Sequence, residues 1–176
     1  MKFRKLKESE IECRVKTCTE NGAVILLYKT ARTDMDILDE TFGPENWESD
    51  YKEIKGNLYC GIGIRFENRP TVWKWDCGIE SREDSDGNQK KGEASDAFKR
   101  AGVKWGIGRE LYTGPFIFIT ADKLNLKKTE YNGKAKYNTY DTFSVEKIAY
   151  DDDNRISGLC IRNDSTKKRV FIWQKQ

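Results

Sequence analysis

Apolar residues alternate with charged ones from Ile11 through Cys13 and Val15 to Thr17, and Asn21-Gly22 then opens the apolar run Ala23 to Tyr28. Two runs flanking an Asn-Gly turn predict a β-hairpin. Next comes a short helix, capped by Thr33 or Asp34, with Met35, Leu38 and Phe42 on one face; its early acidic residues suit the helix dipole and Gly43-Pro44 stops it. The clearest strand is Leu58 to Phe66: Leu58, Cys60, Ile62, Ile64 and Phe66 point one way, Tyr59, Gly61, Gly63 and Arg65 the other. With Trp47 to Ile54 before it and Thr71 to Ile79 after the Glu67 to Pro70 turn, it predicts an antiparallel meander.

Ser81 to Gln89 reads as a polar loop, and a long helix follows. Ala94, Phe98, Ala101, Trp105 and Tyr112 recur near the helical period, while Lys99, Arg100 and Lys104 fall outside that stripe. One face packs and the other is free to meet something anionic. Pro115 to Ile119 is a short strand, the polar stretch around Asn132-Gly133 reads as mobile, and three alternating runs close the chain. These contain Phe143, Val145 and Ile148, then Ile156, Leu159 and Ile161, then Val170, Ile172 and Trp173. The class predicted is α+β, an antiparallel β-meander with packed helices plus a small C-terminal β-meander.

At 176 residues with 37% hydrophobic content, the chain buries one core with a small appendage. Its 32 Lys and Arg against 29 Asp and Glu leave +3, so any attraction to nucleic acid comes from local clustering. The absence of histidine removes the usual general base at neutral pH and every Ser-His or Cys-His nucleophile pair. Cys13, Cys18, Cys60, Cys77 and Cys160 are odd in number and lack a Cys-x-x-Cys pair, which fits neither a disulfide framework nor a common zinc spacing. A reducing, cytoplasmic setting is expected. The basic N-terminus lacks a following apolar segment and no stretch is long enough to span a bilayer, so no membrane role is expected.

Adjacent basic residues on a helix are commonly only a solvated face. Gly102, Gly106 and Gly108 change the weighting for Lys99 and Arg100, because each costs about 1 kcal/mol against Ala if helical and so implies close approach of a backbone or a ligand. Arg32, Lys29, Arg65, Arg69 and Arg109 are candidates to extend the basic surface, although each alone reads as surface more than as site. Tryptophans offer stacking platforms for bases, although Trp73 and Trp75 read mainly as the buried face of a strand and Trp105 as helix-to-sheet core. Asp34, Asp36 and Asp39, or Asp50 with Glu53 and Lys55, are the rival signal for a Mg²⁺-dependent nuclease. Against that, the first group sits where a helix N-terminus favours carboxylates. No phosphate-binding Gly-x-x-x-x-Gly-Lys-Ser/Thr loop is present, so an ATP-driven recombinase is unsupported.

The run from Lys91 to Tyr112, with Gly78 to Ser81 and the passage Leu38 to Gly43 plus Trp47, resembles the ATP-independent single-strand annealing proteins of the Rad52 type, in their short phage and prophage form. The resemblance spans about Ala23 to Phe118. It implies a β-β-β-α core over residues 1–120 that assembles into closed rings, followed by a linker and the small meander over 121–176. Single-stranded DNA would lie in a groove around the ring, with Lys99 and Arg100 gripping phosphates. Arg32 is the nearest counterpart of a further family arginine, displaced by one position; Lys104, Arg109 and Arg65 complete the expected DNA-binding set. No catalytic residue, metal or cofactor is implied, and the partners are single-stranded DNA, copies of the chain, and host or phage replication and recombination proteins. The expected function is ATP-independent annealing in recombination and repair, in the bacterial host cytoplasm. The alternatives are the nuclease and a non-annealing nucleic-acid-binding module on the same scaffold.

Overall fold

The two-residue alternation from Leu58 to Phe66 survives folding: Cys60, Ile62 and Ile64 are completely buried on one side. A computed structural model describes residues 2–79, 86–131 and 133–176. In chain order the elements are β1 (Glu12–Thr19), β2 (Gly22–Tyr28), α1 (Ala31–Phe42), β3 (Trp47–Ile54), β4 (Asn57–Phe66), β5 (Arg69–Cys77) and α2 (Asp86–Trp105). Then follow β6 (Ile117–Thr120), β7 (Leu126–Tyr131), β8 (Lys134–Thr139), β9 (Phe143–Tyr150), β10 (Ile156–Asn163) and β11 (Arg169–Gln174). The class is α+β with antiparallel sheets, as the pattern predicts. Two units divide the chain, one of residues 1–5 and 29–109, the other of 6–28 and 110–176.

In the first unit β3, β4 and β5 form an antiparallel meander, with Asp50 opposite Gly61 and Gly61 opposite Trp75. The apolar side of β4 receives α2, whose Ala97, Phe98 and Ala101 are buried. Trp105 Nε1 donates to the Ile62 carbonyl at 2.9 Å and Trp47 meets Phe98 edge-on. Phe3, Phe42, Phe66 and Trp105 continue the cluster ring to ring.

The cap of α1 differs from expectation. Thr30, not Thr33 or Asp34, sits in extended backbone and accepts from Thr33 N at 3.1 Å, so the helix starts earlier. The buried face also differs from the expected one: Ile37 and Leu38 are inside while Met35 is 39% exposed. Gly43 ends α1 at φ 82°, where a side chain would be strained.

The predicted loop Ser81 to Gln89 falls largely outside the described residues, and α2 already begins at Asp86. Tyr112 does not extend the stripe of α2: the helix stops at Trp105, Gly106 turns the chain at φ 114°, and Tyr112 is 75% exposed in a separate short turn.

Trp73 and Trp75 also depart from the prediction. They lie half-buried on the sheet face opposite α2, stacked on each other at 5.6 Å. Their rings cover Gly63 and Gly61, where a Cβ would run into the indoles. Large apolar rings thus fill the space that two glycines leave, and Lys52 closes over Trp75 at 4.3 Å.

The second unit is built on one six-stranded sheet, ordered β11-β10-β9-β1-β2-β6, so the N-terminal hairpin and the C-terminal meander share hydrogen bonds. Ile25, Ile119, Ile156 and Ile161 are fully buried within it. Lys123 Nζ donates to the Val170 carbonyl of β11 at 3.4 Å. The stretch around Gly133, expected to be mobile, forms the β7–β8 hairpin instead, with Lys128 opposite Tyr137 and Thr129 opposite Lys136. Its alternation is polar on both faces, which is why a hydrophobicity pattern misses it.

Gly61→Ala is expected to destabilise the protein by about 1–3 kcal/mol, since the added methyl must displace the Trp75 ring. Urea unfolding followed by tryptophan fluorescence measures this; an unchanged midpoint would show that the indole moves freely.

Candidate nucleic-acid interface

The face of α2 that leaves the sheet is determined by what holds its other sides. Phe98, fully buried and edge-on to Trp47, commits the helix to one rotation, and Lys99 and Arg100 are left half-exposed. Among the described residues, the Lys99 ammonium forms no hydrogen bond or ion pair. Arg100 lies along β5, its Nε 3.8 Å from Asp76 and without a hydrogen-bond partner among the described residues. Its Nε is enclosed, so the donors left for an incoming acceptor are those of the terminal guanidinium nitrogens.

Directly behind Lys99 is a buried ion pair. Lys29 is 5% exposed and Asp34 fully enclosed, and the Lys29 ammonium donates to both Asp34 carboxylate oxygens. It also donates to the Lys99 backbone carbonyl at 3.2 Å. The carboxylate presses on Gly102, where a Cβ would overlap Asp34 Oδ2. The glycine in mid-helix is therefore required by a side-chain pair from the same chain, and its propensity cost admits the contact between α1 and α2. Burial pushes the Asp34 carboxyl up to about 6, against the opposing pull of Lys29 and Lys99.

The other expected cations divide by their partners. Arg32 is exposed in the first turn of α1, next in helical order to the buried Thr33 and Asp34, and forms no hydrogen bond or ion pair among the described residues. Lys104 sits one turn beyond Arg100, its ammonium 2.5 Å from the Trp75 carbonyl and 3.6 Å from Asp76. Arg109 turns back after Gly106 and Gly108 to donate to the Val103 and Lys104 carbonyls at 2.7 and 2.6 Å, closing the C-terminal end of α2. Arg65 lies on the sheet face opposite α2, donating to the Glu45 carbonyl and, at 3.5 Å, to Glu48. The structure thus brings Lys99, Arg100, Lys104 and Arg109 onto one helix and its terminus, and sets Arg65 on another surface.

Lys29 and Asp34 are the residues whose role the sequence did not disclose. Lys29 reads as surface charge and Asp34 as a helix-dipole or Mg²⁺-ligand carboxylate; the costly Gly102 is the one signal that something must enter there. Of the remaining acidic candidates, Asp39 accepts from Trp47 Nε1 at 2.6 Å and Asp50 lies 3.4 Å from Lys52. Among the described residues no three Asp, Glu, Cys or His side chains converge as a metal-binding group.

Lys29→Met should cost about 3–5 kcal/mol, because it leaves a buried carboxylate without its cation. A carboxyl raised above its ordinary value of 3.8 takes up a proton in the folded state that the unfolded chain does not, so its contribution falls as pH rises through that window. The Lys29→Met loss is accordingly expected to be larger at pH 8 than at pH 5 in paired chemical denaturation curves. Equal losses at both would mean Asp34 is not the group left uncompensated.

The family model described as "Rad52/22 family double-strand break repair protein" matches residues 4–132, well over half of the chain. No curated protein matches it significantly.

Proposed function

Because the chain belongs to the Rad52/22 family of double-strand break repair proteins, and so acts in DNA repair and recombination, we propose that it binds single-stranded DNA along α2 and anneals complementary strands without ATP. The observation that carries this reading is the half-exposed Lys99–Arg100 pair, whose ammonium and terminal guanidinium nitrogens bond no described residue, on a helix whose opposite side is locked into the sheet.

Phosphate contacts position a strand without reading its sequence, and they leave base edges free to pair. Neutralising the backbone also lowers the repulsion between two strands, so annealing becomes encounter followed by base pairing. No bond is made or broken, and the protein needs neither a catalytic residue nor a metal. In this reading Lys99 and Arg100 make the first contacts and Arg32 a flanking one. Lys104, Arg109 and Arg65 chiefly add positive potential, since some of their donors already serve protein acceptors.

One subunit offers few charges, in keeping with a net +3, so tight binding requires linked contacts from several copies. A ring of head-to-tail subunits supplies these. The reading includes a phage or prophage origin, work in the host cytoplasm, and contact with replication or recombination proteins there.

The test is strand annealing of labelled complementary oligonucleotides in EDTA. Parent protein is expected to accelerate annealing without metal or ATP. Lys99→Ala/Arg100→Ala should abolish most of that effect and lower the salt dependence of single-strand binding by about 1.4 per subunit engaged, at about 0.7 for each phosphate no longer neutralised. Phe98→Ala, by contrast, should lower the thermal midpoint by removing about 3–5 kcal/mol of core packing. Metal-dependent cleavage of the strands, or unaltered affinity of the double variant at matched salt, would refute the reading.

A further inference from the structure

The β7–β8 hairpin carries a second concentration of positive charge that the α2 surface does not include. Residues 126–140 contain Lys127, Lys128, Lys134 and Lys136 against the single acidic Glu130. Register sorts them: Lys127 pairs with Asn138 and Thr129 with Lys136, so these four share one face, while Lys128, Glu130 and Tyr137 share the other. The Tyr137 hydroxyl donates to Glu20 at 3.4 Å, which turns its face toward the β1–β2 turn. The Lys127 face is turned away from that contact, with Lys127, Thr129 and Lys136 exposed.

Tyr140, just past β8, lies on that side with Lys127 Nζ 4.7 Å from the centre of its ring, and is 76% exposed. The nearest following carboxylate, Asp141, is buried and occupied by the backbone and side-chain amides of Asn125. An exposed ring beside the Lys127 ammonium, on a hairpin face that carries no carboxylate among the described residues, is complementary to a base and its adjoining phosphates. A duplex conceals the faces of its bases; an unpaired strand does not.

We propose that the Lys127–Lys136–Tyr140 face of this hairpin is a second contact for single-stranded DNA, with both lysines on phosphates and Tyr140 stacked on an unpaired base. It rests on the reading that the protein handles single strands, and it places a contact in a different unit from Lys99 and Arg100. The second strand of the hairpin also lies beyond the residues that the family match covers.

The experiment is fluorescence anisotropy of labelled oligo(dT) with the full chain across a KCl series. Lys127→Ala/Lys136→Ala, both exposed positions, is expected to weaken binding about tenfold at low salt and to reduce the log–log salt slope by about 1.4. Tyr140→Leu should weaken it about tenfold with the slope retained, and Tyr140→Phe should restore it. If both hairpin variants bind as the parent does while Lys99→Ala/Arg100→Ala fails, this inference falls and the α2 reading stands. If the hairpin variants fail while the α2 variant binds normally, the hairpin contact stands and the α2 assignment falls. A parent with no affinity for oligo(dT) removes both. Equal weakening on a blunt duplex would overturn the stacking role.

Discussion

A lysine and an aspartate taken out of water between two helices persist only where each satisfies the other and the backbone makes room for both. Lys29 and Asp34 meet these terms because Gly102 lacks a side chain and because the Lys99 carbonyl takes a further donor from the ammonium. Such a pair contributes little net stability, since desolvation offsets attraction, but it is intolerant of misalignment. Sliding α2 by one residue would place a side chain against the carboxylate and strand the lysine. The pair therefore fixes which residues of α2 face outward, and Lys99 and Arg100 are those residues.

The remainder of the first unit reinforces the same alignment from the opposite side. Phe98 and Ala101 close on the apolar face of β4, and the Trp105 indole bonds to the Ile62 carbonyl. Asp76 of β5 lies close enough to draw Arg100 and Lys104 along the helix flank without fully pairing either. A surface arranged in this way costs little reorganisation when an anion arrives. Under the proposed reading, weak contacts at separate places, linked through one strand and through several subunits, would give strong yet salt-sensitive binding.

Much of this was legible in the residue pattern. The β3–β5 meander, the N-terminal hairpin and the C-terminal strands follow from two-residue alternation, which leaves a clear trace when one face is buried. Lys99 and Arg100 stood out because they leave the stripe containing Phe98 and Ala101. What was hidden depends on contacts between distant residues. Trp73 and Trp75 alternate like a buried face, and only the glycines of the neighbouring strand explain why they cover the sheet's other side. Asp34 has the composition of a helix start, yet its place is decided by Lys29 and Gly102. The β7–β8 hairpin has polar residues on both faces, so no periodicity marks it, and the six-stranded sheet pairs β1 with β9 across more than a hundred residues of chain.

The most direct measurement is photo-crosslinking of a bromodeoxyuridine-substituted single strand to the intact protein in EDTA, followed by peptide mapping. The account predicts crosslinks within residues 94–105 of α2, suppressed by high salt. Crosslinks that spare this helix under conditions where the strand is fully bound would contradict it.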